Sequence, residues 1–240
     1  MKKILATILL YITVLPFFAH GGGNYEHSDF FKTMKPGDKA AILMVHFGTT
    51  HVDTRELTID ALNDKVRKGF PQVELREAYT SRIIIKRLGE RGINKQNPLE
   101  ALNQLHADGY THVLIQASTI IDGVEMESLE KNVDEMEPLF KDIRVGNPLL
   151  YTPEDYEKVT EILTDDTDSQ IAYVWVGHGT YDATTAQYAM LDYMLKAKGH
   201  KNHFVGTIEG YPAFEDMLAQ LKASGPVSYT HLTLPTNREV

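Results

Sequence analysis

Residues 171–180 read IAYVWVGHGT, a short apolar run that ends in a histidine set between two glycines. A run of that length bounded by a glycine stop predicts a buried strand over 171–176. Residues 40–50, AAILMVHFGTT, have the same form and predict a strand over 40–46. Working outward, further strands are expected at 73–79, 112–118, 143–145 and 203–208. Amphipathic stretches predict helices at 53–68, 81–91, 98–108, 125–140, 153–163, 184–198 and 212–223, the last with Pro212 in its first turn. Strands alternating with helices imply parallel sheets with right-handed crossovers, so the fold class is α/β.

The chain also repeats itself. Val45-His46-Phe47-Gly48-Thr49 closes the first strand, and Val176-Gly177-His178-Gly179-Thr180 closes a later one. Glu77-Ala78-Tyr79 follows Gly48 by 29 residues (77 − 48), and Glu209-Gly210-Tyr211 follows Gly179 by 30 (209 − 179). Two matches in the same order at nearly the same spacing suggest a duplicated domain, 39–150 and 151–225. The cleft of such a pair lies between the carboxyl ends of the two sheets.

Composition narrows the chemistry. A net charge of −9 argues against a nucleic-acid binder, which needs a basic face. The absence of cysteine removes thiolate nucleophiles, disulfides, iron–sulfur clusters and thiolate zinc sites together. A metal would have to be held by His, Asp or Glu, which suits Co²⁺, Fe²⁺, Ni²⁺ or Zn²⁺.

At the N-terminus, Lys2 and Lys3 precede an apolar run from Ile4 to Ala19, and Ala19-His20-Gly21 offers a small-x-small cleavage site. The run is short for a membrane span, so residues 1–21 read as a signal peptide and the protein as exported, periplasmic or beyond, with no stable membrane insertion after cleavage; an uncleaved anchor is the alternative. Residues 22–38 read as a linker, and His20 and His27 belong to this mobile region. Residues 226–240, PVSYTHLTLPTNREV, show neither helical nor strand periodicity and read as a non-native tail. His231 in that tail is not recruited as a ligand, and the second sheet is expected to be incomplete.

His178 can bind a divalent ion through one ring nitrogen or accept a proton near neutral pH. It can equally cap the following helix. Glu209, at the end of the neighbouring strand, would make a His–carboxylate half-site with it, or a helix N-terminal carboxylate. Glu125, after the Asp122-Gly123 turn, can face a cleft or cap its helix. Tyr79-Thr80-Ser81-Arg82 opens a helix, with Thr80 or Ser81 as the cap and Lys86 and Arg87 as surface charge.

Together these segments resemble the anaerobic-type sirohydrochlorin cobaltochelatases, the single-chain type II tetrapyrrole chelatases, an exported form included. The likeness covers about 40–225. It rests on HFGTT (46–50), AYTSRIIIKRL (78–88), NPLEALNQL (97–105), IIDGVE (120–125), VGNPLL (145–150), VGHGT (176–180) and IEGYP (208–212), in that order. The resemblance implies two similar chelatase-like (flavodoxin-like) domains, and ATP-independent insertion of Co²⁺ into sirohydrochlorin or a related tetrapyrrole. It implies Co²⁺ as the substrate metal, with Fe²⁺ as an alternative and no organic cofactor. His178 becomes metal ligand and proton acceptor, Glu209 a metal ligand, and Phe47, Thr49, Tyr79 and Glu125 substrate-binding residues. Two departures stand out. Thr119 occupies a position where the family has a histidine, and the strand bearing a second catalytic histidine is replaced by the tail. This chain is therefore expected to be inactive or poorly folded. An exported haem or metal carrier without turnover, and a ferrochelatase, remain the rival readings; a homo-oligomer is left open.

Overall fold

The computed structural model describes residues 30–165 and 167–225, together with the backbone of Ser228–Thr233. The expected signal peptide, His20, His27 and residues 234–240 lie outside the described residues. A short N-terminal unit ends at Met34; within it Phe30–Lys32 forms a 3-10 turn that the Thr33 hydroxyl closes by donating to the Phe30 carbonyl (2.8 Å). The second unit, Lys35–Val240, holds both sheets.

Four strands form the first sheet: β1 (Ala40–His46), β2 (Glu74–Tyr79), β3 (His112–Ala117) and β4 (Asp142–Val145). All pair in parallel in the order β2-β1-β3-β4, with His46 opposite Tyr79 and Val45 opposite Ala117. The second sheet contains β5 (Ile171–Gly179), β6 (His203–Glu209) and β7 (Ser228–Thr233), again parallel, in the order β6-β5-β7. Both sheets thus place their first strand between their second and third. The repeat inferred from two short motifs is a repeat of topology.

In sheets of this order the chain leaves the first strand toward one edge and then toward the other, so the loops diverge at that strand's carboxyl end and leave a crevice there. In the second sheet the divergence falls at the end of β5, where His178 sits. Residues 226–240 were expected to contain no element; Ser228–Thr233 instead forms β7 along β5. Tyr229, Thr230 and Thr233 are strand formers that need no apolar alternation to pair.

The helices explain themselves locally. Asn97 and Glu100 form a reciprocal capping box at α4 (Pro98–Ala107), as Thr152 and Asp155 do at α6 (Pro153–Thr164), each with proline at the first turn. Ser81 caps α3 (Arg82–Gly89), accepting from the Ile84 amide. The helix expected over 53–68 is not uniform. It runs as α1 (Val52–Arg55), a π-helical turn (Glu56–Asp60) and α2 (Ala61–Gly69). The Thr58 hydroxyl donates back to the Thr54 carbonyl and Arg55 grips Asp60, local bonds that accompany the widened turn. The remaining helices are α5 (Val124–Met136), α7 (Ala186–Ala197) and α8 (Phe214–Ser224).

Ala41, Leu43, Val45, Val113 and Ile115 anchor the first core against Leu102, Leu105, Leu129 and Met136. Trp175 and Val205 anchor the second against Tyr156, Leu191 and Leu195. Ile120 and Leu150, from the first half, are buried in that second core. The segment after β3 therefore reaches into the second half.

Candidate functional site

Gly177-His178-Gly179 ends β5 with its geometry enforced from both sides. Gly179 has φ +82°, and a Cβ there would collide with the carbonyl oxygen of Glu209. Only glycine allows both that left-handed conformation and that approach. The close contact places Gly179 in register with Glu209 at the end of β6. Alternation then puts His178 one step before, beside its partner strand's last residues.

His178 Nε2 lies 3.6 Å from Glu209 Oε2, both side chains being partly buried. That separation is too long for a hydrogen bond. Nε2 is itself inaccessible and has no hydrogen-bond partner. A buried ring nitrogen without a partner is costly unless something binds there. Among the described residues no three His, Asp or Glu side chains gather as a metal cluster; the pair is what the site offers.

The loops around the pair are tied together. The Thr185 hydroxyl donates to the Tyr211 carbonyl (2.9 Å) and accepts from the Tyr211 amide (2.8 Å), joining the loop after β5 to the loop after β6. Asp182 accepts from the hydroxyls of Thr180 and Thr184 and from the Thr184 amide, and these bonds hold its carboxyl below the usual range. Tyr181, Ile208 and Tyr211 are exposed on these same segments, as is Val124 beside Glu125.

Glu125 stands in the first turn of α5, half-buried. Its charge acts on the phenol of Tyr188, which burial pushes up. The preceding residues are bound to the second half: the Asp122 amide donates to Gln187 Oε1 (2.9 Å). Glu125 is thus brought toward the β5 end from the other half of the molecule.

The other expected site residues follow β1 and β2. Phe47 is half-buried against Ile59, Tyr79, Ile84 and Leu88. Thr49 is buried, its hydroxyl accepting from the His51 amide (3.2 Å). Tyr79 is fully buried, with its ring where a Gly48 Cβ would stand and its hydroxyl without a hydrogen-bond partner. It presents no surface. Thr119 is also buried with an unpartnered hydroxyl. The sequence match of Glu77 with Glu209 does not survive the register: Glu77 pairs with Met44, four residues before Gly48, whereas Glu209 pairs with Gly179.

Sequence reasoning passed over a buried polar chain at the first sheet. His46 Nε2 meets Asn63 Oδ1 (3.0 Å) and its Nδ1 meets the Ser118 hydroxyl (2.9 Å). Asn63 Nδ2 donates to Glu77 (2.9 Å), which pairs with Lys95. Because Asn63 turns its oxygen to the ring, Nε2 carries the proton and Nδ1 accepts from Ser118. Burial holds the His46 pKa below its ordinary value. Nothing in the spacing of these residues pointed to the chain; the π-helical turn, which lies between α1 and Asn63, is invisible in the apolar pattern.

Comparison with known proteins places these features. The sirohydrochlorin cobaltochelatase of Salmonella typhimurium is 36% identical over 198 residues, 81% of this chain and 74% of the relative. Sirohydrochlorin cobaltochelatase CbiKC of Nitratidesulfovibrio vulgaris is 30% identical over 196 residues, 79% of this chain and 69% of the relative. The crystal structure of the transcription regulator CcpA of Lactococcus lactis overlaps 80% of this chain and 68% of its own at a TM-score of 0.35 and 13% identity, too loose a likeness to bear on fold or function. The pattern of the cobalt chelatase (CbiK) family matches residues 40–233, spanning both sheets and the His178–Glu209 pair, and the chain belongs to that family.

Proposed function

We propose that the protein inserts Co²⁺ into sirohydrochlorin without ATP, with His178 as ion ligand and then proton acceptor and Glu209 as the second ligand. The observation that carries this reading is the buried, unpartnered Nε2 of His178 facing the Glu209 carboxylate at 3.6 Å. Two ligands bonding one ion at about 2.1 Å stand that far apart when they subtend roughly 120° at it, an ordinary angle for an open site. Imidazole plus carboxylate suits a borderline ion that must be released.

Insertion requires that two pyrrole N–H protons leave as the ion enters. While the ion is held, the Nε2 lone pair is committed to it. Transfer to the macrocycle returns that lone pair beside the reacting nitrogens, where it accepts a proton. The Glu209 carboxylate is freed in the same way and accepts the second. Exposed Tyr181, Tyr211, Ile208 and Val124 supply apolar surface for a flat ring. In this proposal Phe47, Thr49 and Glu125 face the substrate, and Tyr79 supports them from beneath Gly48. The lysine-led apolar N-terminus supports export, which cell fractionation checks.

Visible absorption follows formation of cobalt-sirohydrochlorin under single-turnover conditions with protein in excess. His178→Ala is expected to slow insertion by about a hundredfold or more. Equal rates in the two proteins would refute the assignment. Parallel Co²⁺ and Fe²⁺ arms settle the metal. Tight tetrapyrrole binding with no insertion would favour a carrier.

A further inference from the structure

The loop that follows Glu209 is pinned twice. The Pro212 carbonyl accepts from the amide (2.7 Å) and the hydroxyl (2.9 Å) of buried Thr207, which returns the chain onto β6. Between Glu209 and Pro212, the Thr185 hydroxyl donates to the Tyr211 carbonyl (2.9 Å) and accepts from the Tyr211 amide (2.8 Å). Gly210, with φ +84°, lies so close that a Cβ there would strike the Thr180 carbonyl oxygen and the Thr185 hydroxyl. Thr185 itself ends the 3-10 turn Ala183–Thr185, which Asp182 caps by accepting from the Thr184 amide (2.8 Å). One hydroxyl, from the segment after His178, thus bonds both backbone groups of a residue just beyond Glu209.

We infer that Thr185 is a positioning residue: by bonding both backbone groups of Tyr211 it holds the Glu209 carboxylate 3.6 Å from His178 Nε2. The inference rests on the proposed role of His178 and Glu209 as ion ligands. The last paired residues of β5 and β6 are Gly179 and Glu209, so the carboxylate stands where the ladder gives way to loops. A tie between those loops sets how far it can swing from the imidazole. Groups that orient an ion ligand without touching the ion govern affinity by about ten- to a hundredfold. A threonine that only filled space would act through its shape. A positioning threonine acts through Oγ1.

Thr185→Val keeps the shape and removes both bonds, whereas Thr185→Ser keeps the bonds and removes the methyl group. Co²⁺ alone is titrated into the full-length protein carrying each change. Affinity is expected to fall about tenfold in Thr185→Val and to stay within about twofold in Thr185→Ser. The valine is also introduced into Glu209→Ala, where no carboxylate remains to be placed. There it is expected to change the residual Co²⁺ affinity by less than about twofold, a non-additivity that a general loosening of the fold does not produce. Where Glu209→Ala binds too weakly to titrate, the contrast between valine and serine decides alone. Unaltered affinity in Thr185→Val, an equal loss in Thr185→Ser, or equal losses with and without Glu209 would overturn the positioning role and leave the proposed function standing. If His178→Ala and Glu209→Ala both bind Co²⁺ as the unaltered protein does, the proposed function falls and this inference with it.

Discussion

His203 and His178 show how the same residue type is buried in two different settings. His203 begins β6 at the far end of the sheet from the site, fully buried and stacked on Tyr173 and Trp175. The Trp175 indole N–H donates to its Nδ1 (3.0 Å), a bond that requires that nitrogen to be unprotonated. Burial, with His200 nearby, lowers its pKa from 6.5 to about 4. Between those values the unfolded chain binds a proton that the folded chain refuses. The stabilisation is therefore complete above pH 6.5 and is lost as pH falls toward 4, amounting to about 3 kcal/mol. Buried His46 adds to the same trend. Denaturant unfolding at pH 7 and pH 5 is expected to show a marked loss of stability at the lower pH, and His203→Phe is expected to flatten that dependence. Both rings bury an Nε2 without a hydrogen-bond partner, but only that of His178 faces a carboxylate, Glu209 at 3.6 Å.

At the scale of elements, the strands and most helices were legible because apolar runs of four to seven residues end at Gly48, Gly179 and similar stops. Three features were not. The π-helical turn Glu56–Asp60 keeps an amphipathic pattern and alters only the hydrogen bonding. β7 has the composition of a strand without its alternation, so periodicity missed it. The register difference between the two sheets, which separates Glu77 from Glu209, depends on pairing that single-strand motifs do not encode. Where the sequence did speak was at the end of β5. Glycines flank His178 there, and the structure shows what fills the space they leave: the Tyr188 ring at Gly177 and the Glu209 carbonyl at Gly179. Gly179→Ala is accordingly expected to destabilise the fold by about 1–3 kcal/mol through the left-handed φ and the collision. It should also splay β5 from β6 at its end. Denaturant melts and Co²⁺ titration of this variant measure the two effects together.

For the whole molecule, two sheets of like order are joined by the segment after β3, which buries Ile120 in the second core and brings Glu125 toward Tyr188. The repeated motifs pointed to the like strand order of the two sheets, and the family resemblance singled out His178 and Glu209, whose side chains approach to 3.6 Å. The connection through Gln187 was not legible, because it joins residues 65 apart that carry no shared motif. His231 pairs with Val174, four residues short of His178 and so about 13 Å back along the strand. The central claim is that His178 and Glu209 together hold the ion. Titration of Co²⁺ into the full-length protein, followed by its visible ligand-field absorption, tests it most directly. A saturable band is expected, abolished by His178→Ala and weakened by Glu209→Gln. A band of the same position and affinity in His178→Ala would contradict it.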